Sequence, residues 1–307
     1  MTDLLVHRPG LLTTVQDLGR PGLGRFGVSP SGAMDPFALR IANRLLGNAD
    51  DAPALEVTGV GAEIEFLGAA AFALAGANLG ATLDGVPLEP WTTQFARAGA
   101  VLRFGRRQQG ARCYLAFPGG LAVPKVLGSA ATDLDAGIGG VAGRALAAGD
   151  RLRVAGGSNA TARRARLSVR RAYAPPFELR FVPKAGRAAA AARALEAASY
   201  RLSPHANRTG YRFQGPPLPV SPRADAFSEP VPPGAIQVPP DGQPILLMAD
   251  RPTVGGYEVV GCVIAADIPK AAQLWPGHGV RFRAVSAATA RQAHRELEAL
   301  LATAVLP

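Results

Sequence analysis

The sequence predicts a mainly β protein (a β-rich α+β fold) with two barrel-like halves in tandem. Glycine occurs 36 times and proline 27 times among the 307 residues, and both are spread throughout the chain. They divide the chain into many short segments, which favours short strands over a helix bundle. Hydrophobic residues make up 48% of the chain and charged residues 18%, so the chain can bury a sizeable core.

The domain boundary is predicted where the character of the chain changes, in the stretch 156–176. This stretch begins Gly-Gly-Ser-Asn, continues with clustered arginines and ends at Pro175-Pro176. Glycine and serine make a linker flexible, and proline makes it extended. We therefore predict an N-terminal domain over 1–155, a basic Gly/Pro-rich linker over 156–176 and a C-terminal domain over 177–307.

In the first half, short apolar runs bounded by turn residues predict strands. Asp84-Gly85 predicts a hairpin turn, because both residues tolerate positive φ. One helix is predicted to begin at Pro36 and to end before Gly47, since Asp35 can cap its first turn and proline loses nothing at the first helical position. The predicted strands are Leu11–Val15, Leu55–Thr58, Ala71–Ala75, Val101–Phe104, Cys113–Phe117 and Arg151–Val154.

The second half has the same kind of pattern. An alanine-rich helix is predicted near 187–198, and a last helix from about Ser286, where apolar residues recur at helical spacing. The predicted strands are Phe177–Val182, Arg208–Phe213, Ile236–Val238, Pro244–Met248, Tyr257–Ile264 and Val280–Val285.

Charge argues against a nucleic-acid partner. The formal net charge is +10 at pH 7, but a nucleic-acid site should concentrate its charge on one face and interleave aromatic residues. The densest basic cluster stands in a stretch poor in aromatic residues, which favours a solvated linker; attraction of small anions is compatible with it. The cluster consists of Arg163, Arg164, Arg166, Arg170 and Arg171.

Membrane, secretory and metal functions are not expected either. No apolar stretch reaches the roughly 20 residues that a membrane span needs, and the N-terminus does not resemble a signal peptide, so we expect a cytoplasmic protein. Cys113 and Cys262 are too few for a disulfide framework or a four-ligand metal site. The four histidines show no metal-ligand spacing, so no bound metal is expected.

Familiar nucleotide and nucleophile motifs are absent or out of place. The run Gly22–Gly27 matches the dinucleotide pattern, but the next helix is predicted only at Pro36, so a surface loop is favoured. The chain has no Gly-Lys-Ser/Thr and no Gly-x-Ser-x-Gly sequence.

The strongest candidates for catalytic residues follow a strand that is predicted to be buried. The run 245–248 leads to Asp250, Arg251 and Thr253, in a loop whose glycines allow a close backbone approach. Arginine binds a carboxylate or phosphate through two nitrogens, and aspartate can orient it or accept a proton. A structural Asp–Arg pair that fixes a turn explains the same residues, and the sequence leaves both interpretations open.

Several motifs together make the chain recognisable. The chain resembles the allophanate hydrolase subunit 2 family, which includes the C subunit of 5-oxoprolinase, the KipI antagonist and the second part of the carboxyltransferase domain of urea carboxylase. The resemblance covers nearly the whole chain. Its carriers are the runs 9–22 (PGLLTTVQDLGRPG), 31–35 (SGAMD), 42–45 (ANRL), 55–58 (LEVT), 210–212 (GYR) with Arg208, 234–239 (GAIQVP), Asp250-Arg251 with Thr253, and 255–257 (GGY).

The resemblance implies two cyclophilin-like β-barrel domains and work in a hetero-oligomer with a homologue of the B subunit (KipI-like). In 5-oxoprolinase that pair acts with a homologue of the A subunit to open the lactam of 5-oxo-L-proline to L-glutamate at the expense of ATP. The chain would then be one subunit of an ATP-dependent cyclic-amide hydrolase with a small amide substrate. Two alternatives stay open: a carboxyltransferase subunit that acts on urea or a related amide with biotin supplied by another chain, and a non-catalytic subunit that antagonises a KipI-like partner.

Both chemistries need donors that polarise an amide or urea carbonyl and a cation that holds an anion. Arginines supply positive charge, glutamine can donate to and accept from an amide, and tyrosines can flank a planar substrate. The predicted catalytic residues are Arg208, Tyr211, Arg212, Gln237, Asp250, Arg251, Thr253 and Tyr257. The predicted substrate-binding residues are Asp17, Arg20, Asp35, Asn43, Gly255 and Gly256.

The chain departs from the family pattern at several positions, including four that are singled out here. Ala130 and Asp135 stand where the family has arginine, Asn207 replaces an aspartate, and Val254 replaces a threonine. The loss of two positive charges and one acid is expected to bear on the substrate or on whether the subunit is catalytic.

Overall fold

The chain folds into two compact units. The computed structural model describes residues 2–157, 160–169, 173, 175–220 and 228–306. The first unit contains Met1–Arg20, Ser31–Tyr173 and Leu300–Pro307, and the second contains Pro21–Pro30 and Ala174–Ala299. The division therefore differs from the predicted domains at the segments 21–30 and 300–307, which cluster with the other half of the chain, and at the predicted linker, since the first unit continues to Tyr173.

The first unit is built from strands and one long helix. The helix is α1 (Pro36–Leu45). The strands are β1 (Asp3–Pro9), β2 (Leu12–Gln16), β3 (Ala54–Thr58), β4 (Ala62–Phe66), β5 (Ala70–Asn78), β6 (Ala81–Leu83), β7 (Val86–Pro87), β8 (Thr92–Ala96), β9 (Val101–Phe104), β10 (Gln109–Ala116), β11 (Arg151–Arg153) and β12 (Arg164–Ala165).

The second unit is also rich in strands. They are β13 (Phe177–Pro183), β14 (Ser199–Leu202), β15 (Gly210–Gln214), β16 (Glu229–Pro230), β17 (Ala235–Val238), β18 (Ile245–Leu247), β19 (Val254–Gly255), β20 (Glu258–Val263) and β21 (Gly279–Ala284). Its helices are α2 (Ala189–Ala197), α3 (Ile268–Ala271) and α4 (Ala287–Ala302), and the division between the units falls within α4. A final strand, β22 (Val305–Leu306), belongs to the first unit.

Two sheets form the first unit. One has the strand order β11-β1-β4-β9-β6-β7 and the other β2-β3-β10-β5-β8-β12-β22. Every second residue of β4 is buried, and β5 is buried except at its last residue. Phe66 of β4 and Phe72 of β5 pack with their ring centroids 5.1 Å apart. Helix α1 begins as the sequence predicts, because the Asp35 carboxylate accepts a hydrogen bond from Ala38 N at 2.9 Å and Pro36 occupies the first turn.

The second unit contains a closed barrel with the strand order β13-β20-β17-β18-β15-β14-β21. Its strands pair antiparallel except for β13 and β21, which run parallel. Phe282 packs edge-on against Phe181, Tyr200 and Phe213 at centroid distances of 5.4 to 6.3 Å. Buried aromatic side chains thus fill the barrel, and its loops carry the polar residues described below.

The predicted mainly β class is confirmed, and each predicted strand overlaps an observed one. Asp84 and Gly85 have φ values of 49° and 84° between β6 and β7, as the predicted hairpin turn requires. Arg208 is a correction: it lies before β15, whereas the sequence predicted it inside the strand. Strands β1, β4, β8 and β14 are among those that the sequence patterns did not predict.

The predicted linker is only partly a linker. Residues 164 and 165 form β12, which pairs with β8 and β22. The backbone of this stretch therefore takes part in a sheet. Arg170 and Arg171 of the basic cluster lie outside the described residues. In the part of the chain that the structure describes, no helix is long and apolar enough to cross a membrane.

Candidate functional site

Arg208 and Asp250 form a buried ion pair in the second unit. Arg208 Nε and Nη2 donate to the two Asp250 carboxylate oxygens at 2.7 and 2.9 Å. Both side chains are 4% exposed, and the backbones are joined as well, since Asp250 N donates to Arg208 O at 3.0 Å. Asp250 is therefore paired with Arg208 and not with the neighbouring Arg251, and the catalytic roles predicted for Arg208 and Asp250 stay predictions.

Tyr211 and Arg212 lie on opposite faces of β15, because side chains alternate along a strand. Tyr211 is buried, and its hydroxyl donates to Ala272 O at 3.4 Å. Arg212 is exposed. Of the arginines expected to supply positive charge, Arg208 is thus buried and paired with Asp250, whereas Arg212 is exposed.

A second group of predicted residues does converge, around the backbone of Val231. Arg251 Nε donates to Val231 O at 3.3 Å, and Val231 N donates to Thr253 O at 3.1 Å. Gly255 packs against both Val231 and Gln237. We call Gln237, Arg251, Thr253 and Gly255 the Gln237 cluster. It combines residues from β17, from the loop after β18 and from the two-stranded sheet of β16 and β19.

Gln237 is the unusual member of this cluster. Its side chain is 4% exposed, yet its Nε2 has no hydrogen-bond partner among the described residues. A buried amide donor without an acceptor costs free energy, so such groups are uncommon and call for an explanation. A carbonyl or carboxylate oxygen of a ligand would supply the missing acceptor.

Arg251 adds positive charge to the cluster. It is half-buried, and burial lowers the pKa of its guanidinium below the ordinary value. No ion pair between Arg251 and an acid is found among the described residues. A guanidinium that is partly desolvated and not neutralised by an acid can bind an anion strongly.

A side chain larger than that of glycine would be crowded at 255 but not at 256. A Cβ atom on Gly255 would overlap Gln237 Nε2, whereas one on Gly256 would come no closer than 4.0 Å to Ser228 Oγ. Tyr257, the next residue, is 51% exposed. The absence of a side chain at Gly255 therefore leaves room for the Gln237 amide, while Gly256 and Tyr257 are exposed to solvent.

In the first unit, Asp17 anchors a loop. Its Oδ1 accepts hydrogen bonds from Gly19 N at 2.7 Å and Ser129 Oγ at 2.6 Å, and its Oδ2 accepts one from Ala130 N at 2.6 Å. Its carboxylate is buried and has three donors. The geometry therefore indicates a structural role for Asp17, which holds the two loop segments together.

Arg20 lies under the same loop. Its Nε donates to Val126 O at 3.4 Å and its Nη2 donates to Ala131 O. The side chain is 2% exposed, and Nη1 has no hydrogen-bond partner among the described residues. Asp17 and Arg20 are both held against this loop, but they form no ion pair with each other.

Asp35 and Asn43 also have internal partners. Asp35 caps α1 and its Oδ2 accepts a hydrogen bond from Tyr173 at 3.2 Å. Asn43 Nδ2 donates to Ala52 O at 2.9 Å, and its Oδ1 accepts from Asn48 Nδ2 at 3.0 Å. Their predicted roles in substrate binding stay predictions, and the contacts seen here are structural.

Asn48 is a residue that the sequence reasoning missed. It lines an open cavity of about 740 Å³ in the first unit, and Gly119 N donates to its Oδ1 at 2.8 Å. The available signal was an asparagine directly after Gly47, which ends a helix. The cavity is lined by Leu46, Gly47, Asn48, Ala49, Ala52, Pro118, Gly119, Gly156 and Gly157.

A buried polar network in the first unit was also missed. Tyr114 donates to Glu56 Oε2 at 2.6 Å, and Met34 N donates to the same oxygen at 2.9 Å. Arg112 Nε lies 3.6 Å from Glu56 Oε1. Burial and the nearby Glu56 and Asp35 charges raise the pKa of Tyr114 well above its ordinary value, so it stays protonated as a donor.

The four positions singled out as departures from the family pattern have distinct settings. Asn207 Oδ1 accepts from the backbone N–H groups of Thr209 and Gly210, both at 3.0 Å, and so fixes the turn before β15. Ala130 is buried beside Asp17, while Val254 and Asp135 are exposed. Among the residues described, no group of three or more His, Cys, Asp or Glu side chains could hold a metal ion.

A mainly β protein of two units, with a closed barrel in the second, is the class that this fold defines. The family model of the carboxyltransferase domain, subdomain A and B, matches residues 26–284. The chain belongs to this family.

Named relatives match it over nearly their whole length. The chain is 39% identical over 304 residues to the C subunit of 5-oxoprolinase from Haemophilus influenzae, covering 94% of this chain and 93% of the relative. It is 40% identical over 294 residues to the C subunit of 5-oxoprolinase from Escherichia coli, covering 95% and 94%.

A solved structure gives the same fold. The crystal structure of the Kluyveromyces lactis urea carboxylase superimposes on 97% of this chain with a TM-score of 0.90 and 28% sequence identity. The match covers 29% of the urea carboxylase chain, so this protein corresponds to one part of that enzyme. The resemblance inferred from the sequence is confirmed.

Proposed function

We propose that this protein is the C subunit of a 5-oxoprolinase-type, ATP-dependent amidohydrolase that opens 5-oxo-L-proline to L-glutamate. It would act in the cytoplasm as part of a hetero-oligomer with the homologous B and A subunits. The observation that supports this proposal most directly is the match with two proteins that carry the name of the 5-oxoprolinase C subunit, at 39% and 40% identity across more than nine-tenths of each chain.

The Gln237 cluster suits this substrate class. A 5-oxoproline molecule carries a lactam carbonyl and a carboxylate, which are an acceptor and an anion. The unpartnered Gln237 Nε2 can donate to the carbonyl, and Arg251 can hold the negative charge. When water adds and the lactam C–N bond breaks, charge develops on the carbonyl oxygen, and donors fixed in a buried site stabilise that charge.

ATP is the implied co-substrate, and this chain's own residues do not fit a familiar site for it. The sequence has no Gly-Lys-Ser/Thr run. We therefore place ATP with the assembled complex and assign this chain the binding and polarisation of the cyclic amide.

Reconstitution tests the proposal. The chain would be co-expressed with the homologous B subunit, mixed with the A subunit, and assayed for ATP hydrolysis and glutamate formation with and without 5-oxoproline. We expect 5-oxoproline to stimulate both, and only when all three proteins are present. Absence of stimulation in the complete, co-purified complex would reject the proposal.

Variants test the role of the Gln237 cluster. Gln237→Ala and Arg251→Ala should each lower the 5-oxoproline-dependent rate by about 10²–10³-fold. The matched controls are Gln214→Ala and Arg291→Ala, which alter exposed residues of the same types in the same unit. Equal rates for the Gln237 and control variants would contradict the assignment.

A biotin-dependent carboxyltransferase is the second candidate, favoured by the family and by the superposition on urea carboxylase. Biotin would come from another chain, and urea or a related amide would be carboxylated. Avidin should then abolish the reaction, whereas lactam opening should be insensitive to avidin. A non-catalytic antagonist of a KipI-like partner would keep its regulatory effect in all of these variants.

A further inference from the structure

Arg20 is a buried cation whose charge no acid compensates. Its side chain is 2% exposed, and no ion pair of Arg20 is found among the described residues. The acid nearest in sequence, Asp17, already accepts three hydrogen bonds from the adjoining loops. Burying a charge without a partner costs much free energy, so an anion near Arg20 would be strongly favoured.

The guanidinium is also held in one orientation. Nε and Nη2 donate to the carbonyl oxygens of Val126 and Ala131. These neutral acceptors fix the plane of the group but leave its positive charge in place. Of the guanidinium nitrogens, Nη1 is the one left without an acceptor among the described residues, and it offers its two N–H groups to a further oxygen.

The loop around Arg20 is shaped by glycine. Gly139 has a φ of 74°, and a Cβ atom there would overlap Ala131 O and lie 3.0 Å from Arg20 Nη2. The turn between Val126 and Ser129 has Gly128 at a φ of 84°, with nothing within 4 Å of the position of a Cβ. The backbone at Ala131 and Gly139 therefore packs closely against Arg20 Nη2.

We infer that Arg20 is the receptor of a small oxyanion site in the first unit, in which Nη1 binds one oxygen of a carboxylate, bicarbonate or phosphate. Arg20 belongs to the first unit, whereas the residues of the Gln237 cluster belong to the second. The oxyanion site does not depend on the proposed function, because the binding is a property of this chain alone. No chemical step is assigned to it.

Ligand-dependent stability tests this inference. The purified chain would be titrated with phosphate, bicarbonate or acetate at constant ionic strength, with chloride as the reference, and its unfolding temperature measured. At ten times the dissociation constant, binding to the folded state alone should raise the unfolding temperature by about 3 °C. The ion that gives the rise distinguishes a phosphate ligand from a carboxylate or bicarbonate ligand.

Variants make the test specific. Arg20→Gln should abolish the rise, whereas Arg151→Gln, which removes an exposed charge from the same unit, should keep it. A rise of the same size in Arg20→Gln, or no rise with any of the three ions in the unaltered chain, would overturn the inference.

Should Arg20→Gln fail to fold, the unaltered chain still decides the matter by NMR. Phosphate, bicarbonate or acetate should shift the backbone amide signals of Ala131 and Gly139 in a saturable way, and leave the amide of Arg151 unchanged. Unchanged signals at Ala131 and Gly139 with all three ions would equally contradict the site.

Discussion

Arg208 in the second unit and Arg20 in the first are almost equally buried, with exposed fractions of 4% and 2%. Their charges are nevertheless compensated in different ways. Arg208 donates twice to the carboxylate of Asp250, whereas Arg20 donates to two backbone carbonyls and forms no ion pair among the described residues. Carbonyl oxygens satisfy donors without cancelling the charge.

The difference indicates which arginines have a charge that a ligand could still bind. An arginine with a bidentate carboxylate has its charge and its donor geometry used within the fold. An arginine held by neutral acceptors, such as Arg20, or left half-buried without an acid, such as Arg251, keeps its charge for a ligand. The residue type alone does not distinguish these cases, but the partner does.

Removing the acid from the paired arginine should give the largest effect. Asp250→Ala would leave Arg208 buried without its carboxylate and should lower the free energy of unfolding by about 3–5 kcal/mol. Urea denaturation followed by circular dichroism measures this value.

Two further variants serve as controls for the prediction about the Arg208–Asp250 ion pair. Asp51→Ala, at an exposed acid, should change stability by less than about 0.5 kcal/mol. The double variant Arg208→Met/Asp250→Leu should regain much of the loss, because no uncompensated charge is left buried. If Asp250→Ala lowered the free energy of unfolding by less than about 1 kcal/mol, the ion pair would not be important for the stability of the fold.

Packing at the Gln237 cluster should give an intermediate effect. Gly255→Ala places a methyl group against Gln237 Nε2 and should cost about 1–3 kcal/mol of stability, with a loss of 5-oxoproline-dependent rate in the reconstituted complex. Gly256→Ala is the matched control, because its methyl group meets nothing closer than 4.0 Å. Similar results for the two variants would mean that Gln237 moves aside freely and is not held in place.

Elements with a local cause could be predicted from the sequence. Helix α1 follows from Asp35 and Pro36, whose capping contacts involve residues only three positions apart. The turn at Asp84-Gly85 follows from backbone preferences of those two residues. Strand β14, by contrast, alternates buried and exposed residues over only four positions. So short an alternation is a weak signal, and its pairing with β15 and β21 decides the structure.

The sequence motifs pointed to residues of the Gln237 cluster, but their spatial arrangement could not be predicted from the sequence. Motifs named Gln237, Arg251 and Gly255, and the structure gathers them around Val231. The partner of Arg208 could not be deduced, because Asp250 is 42 residues away and comes close only when β15 pairs with β18. Partners across a sheet depend on register, which a single sequence does not reveal.

Arg212, an exposed arginine of β15, should show the smallest effect on stability when it is replaced. Arg212 lies four residues after Arg208, on the exposed face of β15. Arg212→Gln should change the free energy of unfolding by less than about 0.5 kcal/mol, because water solvates the guanidinium in both the folded and unfolded states. Urea denaturation beside Asp250→Ala provides the measurement. A loss above about 1 kcal/mol would show that Arg212 has a partner in solution, and that burial is not what separates these two arginines.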